Sequence, residues 1–298
     1  ALSKPAGKNN MNTGRRQFLA GLLAAAAAGG ARAAGEFDGL RFRVAADGWG
    51  LAGAGEVEAV LKSAAGVLWK YFPAQQREPF VVLRGREGPI VLYQRNVVGE
   101  IVMKLDTEDY LWCQYVYQFS HEFCHILSGF EDRAWKRNNW FEETVCEVAS
   151  LFVLRRLSEV WAAHPPYSNW QQYAPEFRRY AQGVMDGRTQ VGDGHLGDFY
   201  RKHRKTLEET PRDRSLNGAM ALPLLELFEG APESWEAVAW LNRTPSLEGG
   251  TFAEYLENWR SAVPVKQRNF VDEVRRRFGL EDPGAGAAGP AGPEHSRD

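Results

Sequence analysis

The spacing of apolar residues changes once along this chain, near residue 106, and that change limits the folds that are open to it. Before that point, β-rich runs lie at 37–44, 80–83, 90–93 and 100–105, and a helical pattern covers 56–72. From residue 139 onward, nearly every segment has the spacing of an amphipathic helix. The sequence therefore predicts an α+β fold, in which a small mixed-sheet lobe is followed by a mainly helical lobe.

The two ends of the chain differ from the rest. Residues 1–33 contain five basic residues and no acidic one, and the uncharged, Ala-rich stretch 18–31 is too short to span a bilayer. Arg15-Arg16, followed by Gln17-Phe18-Leu19, resembles a twin-arginine export signal. We therefore expect a signal peptide and N-terminal extension at 1–33, and a periplasmic or extracellular bacterial protein with no stable membrane span after cleavage. The Gly-, Ala- and Pro-rich residues 281–298 are expected to be a disordered tail.

Between these ends, the sequence predicts an α+β lobe at 34–129 and a helical lobe at 130–280. The formal net charge is −2, from 36 basic and 38 acidic residues, and this balance does not favour a nucleic-acid partner. The three cysteines are too few for a disulfide scaffold. A disulfide between Cys124 and Cys146 could form after export, but the sequence favours buried thiols on packed helices.

The run His121-Glu122-Phe123-Cys124-His125 carries the chemistry that the sequence suggests. Two histidines four residues apart lie on one face of a helix, where both can reach one Zn²⁺ at about 2.0–2.1 Å. Zinc lowers the pKa of a coordinated water to about 7, and Glu122 beside it can take the proton. The surrounding apolar residues have helical spacing: Leu111, Tyr115, Phe119, Phe123, Ile126 and Leu127.

A catalytic zinc needs a third protein ligand and one open position. The segment 138–147 begins with two asparagines, which are good helix caps, and continues to Glu142, Glu143 and Glu147. Together with the histidine motif, this segment resembles the gluzincin metallopeptidases, whose third ligand is a glutamate on a second helix. The resemblance assigns Glu143 to the metal and Glu147 to orienting a ligand histidine. Glu142 fits less well, because Cys146 stands one turn beyond it.

The resemblance has further implications for the site. The strand at 99–105 would be the sheet edge that binds extended substrate, and a donor to the oxyanion would come from the second lobe. The candidates for that donor are His195, Tyr200 and His203, and the sequence does not choose among them. Glu131, Asp132 and Glu142 also stay open as competing third ligands.

The sequence thus predicts a zinc endopeptidase that holds one Zn²⁺ per chain through His121, His125 and Glu143, with Glu122 as general base. Its partner would be a peptide or protein substrate. Two alternatives remain: an exported zinc-binding protein without peptidase activity, and a hydrolase of non-peptide amides.

Overall fold

A computed structural model describes residues 39–72, 77–129, 137–192, 194–243 and 249–280. The strands are β1 (Phe42–Val44), β2 (Phe80–Arg84), β3 (Ile90–Leu92) and β4 (Ile101–Leu105). The helices are α1 (Ala54–Trp69), α2 (Trp112–Leu127), α3 (Asn139–Ala163), α4 (Ala174–Asp186), α5 (Leu196–Glu209), α6 (Arg214–Gly230), α7 (Trp235–Val238), α8 (Phe252–Ala262) and α9 (Arg268–Arg277). This order confirms the predicted α+β class. The leader at 1–33 and the tail at 281–298 lie outside the described residues.

The four strands form one mixed sheet in the order β1-β2-β4-β3. β1 and β4 both pair in parallel with β2, whereas β3 pairs antiparallel with β4. The expectation that 99–105 forms the sheet edge is therefore wrong, because β4 lies inside the sheet and β3 is the edge beside it. The connection between β3 and β4 is short, so β3 folds back as a hairpin partner and covers the free side of β4.

The helix that carries the histidine motif, α2, begins only after a turn. Asp106, where the apolar spacing changes, pairs its carboxylate with Arg84 at 2.8 Å and accepts the N–H of Gly88 at 3.2 Å. The chain then turns through Asp109, whose φ is +57°, and α2 starts at Trp112. At the other end, Ser128 caps α2 and Gly129 follows with φ +89°.

The sheet lies against α2 through aromatic side chains. The ring of Phe80 on β2 lies 6.3 Å from that of Phe119 and 5.9 Å from that of Phe123. Both phenylalanines of α2 are fully buried, and each such burial stabilises the fold by about 1.5–3 kcal/mol. This packing fixes α2 on one face of the sheet and turns its histidines toward α3.

The two predicted lobes share one apolar core. α1 and α2 both pack against α3, and the buried Trp161 of α3 donates to Ser63 Oγ of α1 at 2.7 Å. A continuous cluster of buried side chains extends from Leu40 to Phe278. The boundary at residue 130 remains a prediction. None of the helices in the described part of the chain is long and apolar enough to cross a membrane.

Candidate metal centre

His121 and His125 lie one turn apart on α2 and face α3. Their ring centroids are 5.1 Å apart, and their side chains are 9% and 16% exposed. A spacing of four residues places both side chains on one side of the helix, as the sequence predicts. The two rings are therefore neighbours, and both are nearly buried.

Glu143, near the start of α3, faces both histidines. Its Oε2 lies 3.2 Å from His121 Nε2 and 3.8 Å from His125 Nε2. Its other oxygen, Oε1, lies 3.3 Å from Arg212 Nε, and the Arg212 side chain is 68% exposed. The structure therefore brings together the three residues that the sequence predicted as metal ligands, and it adds a guanidinium on the far side of the carboxylate.

The second ring nitrogen of His121 faces another carboxylate. Its Nδ1 lies 3.5 Å from Glu147 Oε1, one turn beyond Glu143 on α3. The other oxygen of Glu147 accepts a hydrogen bond of 2.6 Å from the Tyr117 hydroxyl and forms an ion pair with Arg188. Tyr117 and Arg188 thus hold Glu147 in place, and Glu147 in turn orients the His121 ring, as the resemblance implied.

His125 has an equivalent partner, which the sequence did not assign. Its Nδ1 lies 2.9 Å from Glu142 Oε1, and the same oxygen accepts the Ser128 hydroxyl at 2.9 Å. Glu142 Oε2 accepts from Asn242 Nδ2 at 2.8 Å. Glu142 therefore lies on the Nδ1 side of its histidine and supports the ring, while Glu143 faces the Nε2 atoms.

The glutamates and histidines shift one another's protonation. Burial opposes ionisation of Glu143, but the hydrogen bond from His121 and the nearby cationic charges outweigh it and lower its pKa to about 2. Burial also opposes the charged form of His125, but the hydrogen bond to Glu142 and the carboxylate charges raise its pKa to about 9. In the metal-free protein, the site is therefore a network of carboxylates and imidazolium rings at neutral pH.

Glu122 lies next to this network but makes a different contact. Its carboxylate is buried and accepts the backbone N–H of Val91, on the edge strand β3. Burial raises its pKa, the positive histidines oppose the rise, and the charge of Glu143 adds to it. A buried carboxylate with a raised pKa, held between the histidine pair and a sheet edge, has the properties of a general base.

Cys146 also belongs to the cluster. The ligand atoms of His121, His125 and Cys146 lie within 4.8 Å of one another, which makes them a possible metal-binding group. Cys146 is a free, buried thiol. Burial raises its pKa well above the usual range, and a hydrogen bond with Cys124 raises it further. The structure has free cysteines at 113, 124 and 146, so the Cys124–Cys146 disulfide that the sequence allowed is not formed.

No protein-family model matches the chain, and no curated protein or solved structure was found to be similar. The likeness to gluzincins therefore depends on the residues of the site themselves.

The three candidates for an oxyanion donor lie elsewhere. The side chain of His195 is 74% exposed and lies 3.8 Å from Asp198, and His203 packs on the Phe199 ring. Tyr200 stacks on Trp140 inside the aromatic core. Within the described ranges, no hydrogen bond or ion pair joins these three residues to the histidine pair. Glu131 and Asp132, the other open ligands, lie outside the described residues.

The structure brings in cationic residues that the sequence did not indicate. Arg188 follows α4, Arg212 precedes α6, and Arg214 is the first residue of α6. Arg188 lies 41 residues from its acidic partner Glu147 along the chain, and no local motif marks any of the three arginines. Asp213 could have indicated where α6 starts, because it caps that helix by accepting the N–H of Leu216 at 3.1 Å, but it does not indicate the arginines.

Proposed function

We propose that this protein is a zinc-dependent endopeptidase, in which His121, His125 and Glu143 hold the metal and Glu122 is the general base. One observation carries the proposal: a single carboxylate oxygen faces the Nε2 atoms of both histidines, while other carboxylates face their Nδ1 atoms. Zinc-binding histidines in proteins have this arrangement, in which the outer ring nitrogen donates to an acidic group.

The spacing of these atoms fits a metal. In a tetrahedral site with zinc–ligand bonds of 2.0–2.1 Å, neighbouring ligand atoms are roughly 3.3–3.4 Å apart. The Glu143 oxygen lies 3.2 and 3.8 Å from the two histidine nitrogens, so small side-chain movements would complete the set. Cys146 is a weaker candidate for the third ligand, because its sulfur belongs to a group that spreads to 4.8 Å. Two nitrogens and one carboxylate oxygen match a catalytic zinc site rather than a closed structural one.

The chain's own residues supply the remaining steps. Bound zinc would make water nucleophilic near neutral pH and polarise the substrate carbonyl. Glu122 takes a proton from the attacking water and passes it to the leaving amine, a role that its raised pKa suits. The edge strand β3 lies beside Glu122, because Val91 donates its N–H to that carboxylate. An extended peptide that pairs with β3 would therefore pass close to the base.

The experiment measures metal content and cleavage on the same protein preparations. We expect one zinc per wild-type chain and none in His121→Ala. Glu122→Gln should keep the zinc and lose roughly 10²–10⁴-fold in cleavage of a casein-type substrate. His164→Ala, at an exposed position at the end of α3 opposite to Glu143, is the matched control and should change neither.

Each result separates the proposal from its alternatives. Stoichiometric zinc in His121→Ala would overturn the ligand assignment. Zinc in the wild type with no cleavage of proteins, but with release of small amides, would make the protein a hydrolase of non-peptide amides. Zinc without any hydrolysis would leave a binding protein, and the mechanism would be wrong.

A further inference from the structure

Arg214 is the first residue of α6 and lies beside the candidate metal centre, two residues after Arg212, whose Nε is 3.3 Å from Glu143 Oε1. The charges of Glu147, Glu143 and Glu122 all act on its guanidinium. Even so, among the residues that the structure describes, its side chain forms no hydrogen bond or ion pair. The residue is solvent-exposed, but protein surrounds the guanidinium closely enough that burial lowers its pKa. It is therefore a solvent-accessible cation close to the carboxylates of the site.

The acidic groups around Arg214 already have cationic partners. Glu147 pairs with Arg188, and Glu143 Oε1 lies 3.3 Å from Arg212. Arg214 is thus not needed to neutralise either carboxylate. The described site contains four glutamates and three arginines: Glu122, Glu142, Glu143, Glu147, Arg188, Arg212 and Arg214. With one divalent cation bound and both histidines neutral, the charges of these groups and the metal would leave one surplus positive charge.

The helix that carries Arg214 is fixed against the site. Asn217, in the first turn of α6, accepts from Thr144 at 3.5 Å and donates to the Pro211 carbonyl at 2.7 Å. Thr144 directly follows Glu143 on α3. Gly218, one turn from Arg214 on the same face, lies so close to Arg188 that an added Cβ would be 2.8 Å from its Nε. The start of α6 is therefore held beside the third ligand, and it presents Arg214 from a rigid support.

We propose that Arg214 binds a carboxylate of the substrate and so makes the enzyme selective for peptides that carry a negative charge beside the scissile bond. The carboxylate is either an acidic side chain, as the proposed endopeptidase would require, or the free C-terminus of the peptide, in which case the enzyme would remove C-terminal residues instead. A guanidinium without a protein partner suits this role, because it donates two parallel hydrogen bonds to one carboxylate. The inference rests on the proposed function, since it needs a metal at the histidine pair to place the substrate.

The test uses inhibitors, so that it does not depend on turnover. A hydroxamate group that binds zinc is attached to two dipeptides that differ only in a free or an amidated C-terminus. A second pair differs only in a glutamate or a glutamine side chain. Calorimetry on the zinc-loaded full-length protein then compares wild type, Arg214→Ala, Arg214→Lys and the control Arg178→Ala, which removes an exposed arginine of α4 that pairs with Glu159.

We expect the wild type to bind one charged inhibitor about 10- to 100-fold more tightly than its neutral twin, the usual range for a charge-assisted hydrogen bond. Arg214→Ala should lose that preference at unchanged zinc content, Arg214→Lys should keep part of it, and the control should keep all of it. The pair that shows the preference identifies the source of the carboxylate.

Equal binding within both pairs by the wild type, or a preference that survives in Arg214→Ala, would overturn the role of Arg214 and leave the metal site intact. If the wild type bound no zinc, the proposed function would fail first, and this inference would fail with it.

Discussion

Glu142 and Glu143 are neighbours in sequence, but they act on different nitrogens of the histidine pair. Consecutive residues on a helix point about 100° apart, so the two carboxylates approach the rings from different sides. Glu143 faces Nε2 of both rings, whereas Glu142 faces Nδ1 of His125 and is held there by Asn242. That Glu142 fits less well than Glu143 as a ligand stays a prediction, and the structure adds that the Glu142 carboxylate contacts a ligand histidine from its Nδ1 side.

The first prediction separates these roles by zinc affinity. We expect Glu143→Ala to weaken zinc binding most, because it removes a ligand. Glu147→Ala and Glu142→Ala should each weaken it by about 10–100-fold, because each frees one ring that the carboxylate orients. Competition with a chromogenic chelator measures all three. Glu176→Ala, on the exposed side of α4, is the control. Loss of zinc in Glu142→Ala with retention in Glu143→Ala would reverse the assignment.

The second prediction concerns protons released by metal binding. The pKa of His125 is raised to about 9 and that of His121 well above its usual range, so both rings carry a proton at pH 7 in the metal-free protein. Zinc must displace these protons from Nε2. We expect about two protons per zinc at pH 7, against about 0.5 for two histidines with ordinary pKa values near 6.5. Calorimetry in buffers of different ionisation enthalpy counts them.

The same shifts fix the direction of the pH effects. The raised pKa of His125 stabilises the metal-free protein below about pH 6.5, and that contribution is lost as the pH rises toward 9. Zinc affinity changes in the opposite direction and increases over this range, because fewer protons compete for the nitrogens. An affinity that stayed constant from pH 6.5 to 8.5 would contradict the raised pKa values.

At the scale of elements, the support of the site depends on how closely α6 approaches the loop after α4. Gly218 of α6 lies against the Arg188 side chain, and its carbonyl is 3.5 Å from Arg188 Nη1. Arg188 cannot easily move away, since the same guanidinium pairs with Glu147 and donates to Tyr117 at 2.9 Å. A glycine is therefore required here by the close approach of a fixed side chain, not by its φ angle.

The third prediction compares two helical glycines. In Gly218→Ala the new Cβ would meet Arg188 Nε at 2.8 Å, so we expect a loss of about 1–3 kcal/mol in the free energy of unfolding. Gly183→Ala in α4 meets nothing within 4 Å and should stabilise the protein by about 0.5–1 kcal/mol. Urea unfolding measures both. Gly218→Ala should also weaken zinc binding, because it displaces the partner of Glu147, and equal effects of the two substitutions would refute this account.

At the scale of the whole molecule, the two helices of the site are held together by a core that continues through both predicted lobes. α2 lies against the sheet through Phe119 and Phe123, and α3 is fully buried along much of its length, from Trp140 to Trp161. The hydrogen bond from Trp161 to Ser63 joins α3 to α1 at the far end from the histidines. The distance between the histidine pair and Glu143 is therefore set by the packing of the whole protein.

The sequence by itself determined the features that depend on local spacing. The apolar periodicity gave α+β as the class and the helix that carries His121 and His125, because side-chain direction repeats every 3.6 residues on a helix and every two on a strand. The same rule placed Glu143 and Glu147 on one face of α3, and the structure has both of them at the His121 ring.

Only the tertiary structure decided the features that depend on contacts between distant segments. The order of the strands put β3 at the edge beside Glu122, and no periodicity within β3 or β4 encodes which of them lies outside. Glu142 is held against His125 by Asn242, which is 100 residues away along the chain, so no local pattern could indicate that role. Arg188 and Arg212 reach the site because α4 and α6 pack on α3. Such contacts follow from the packing of complete elements against one core, and the local sequence around each arginine looks like any solvated helix end.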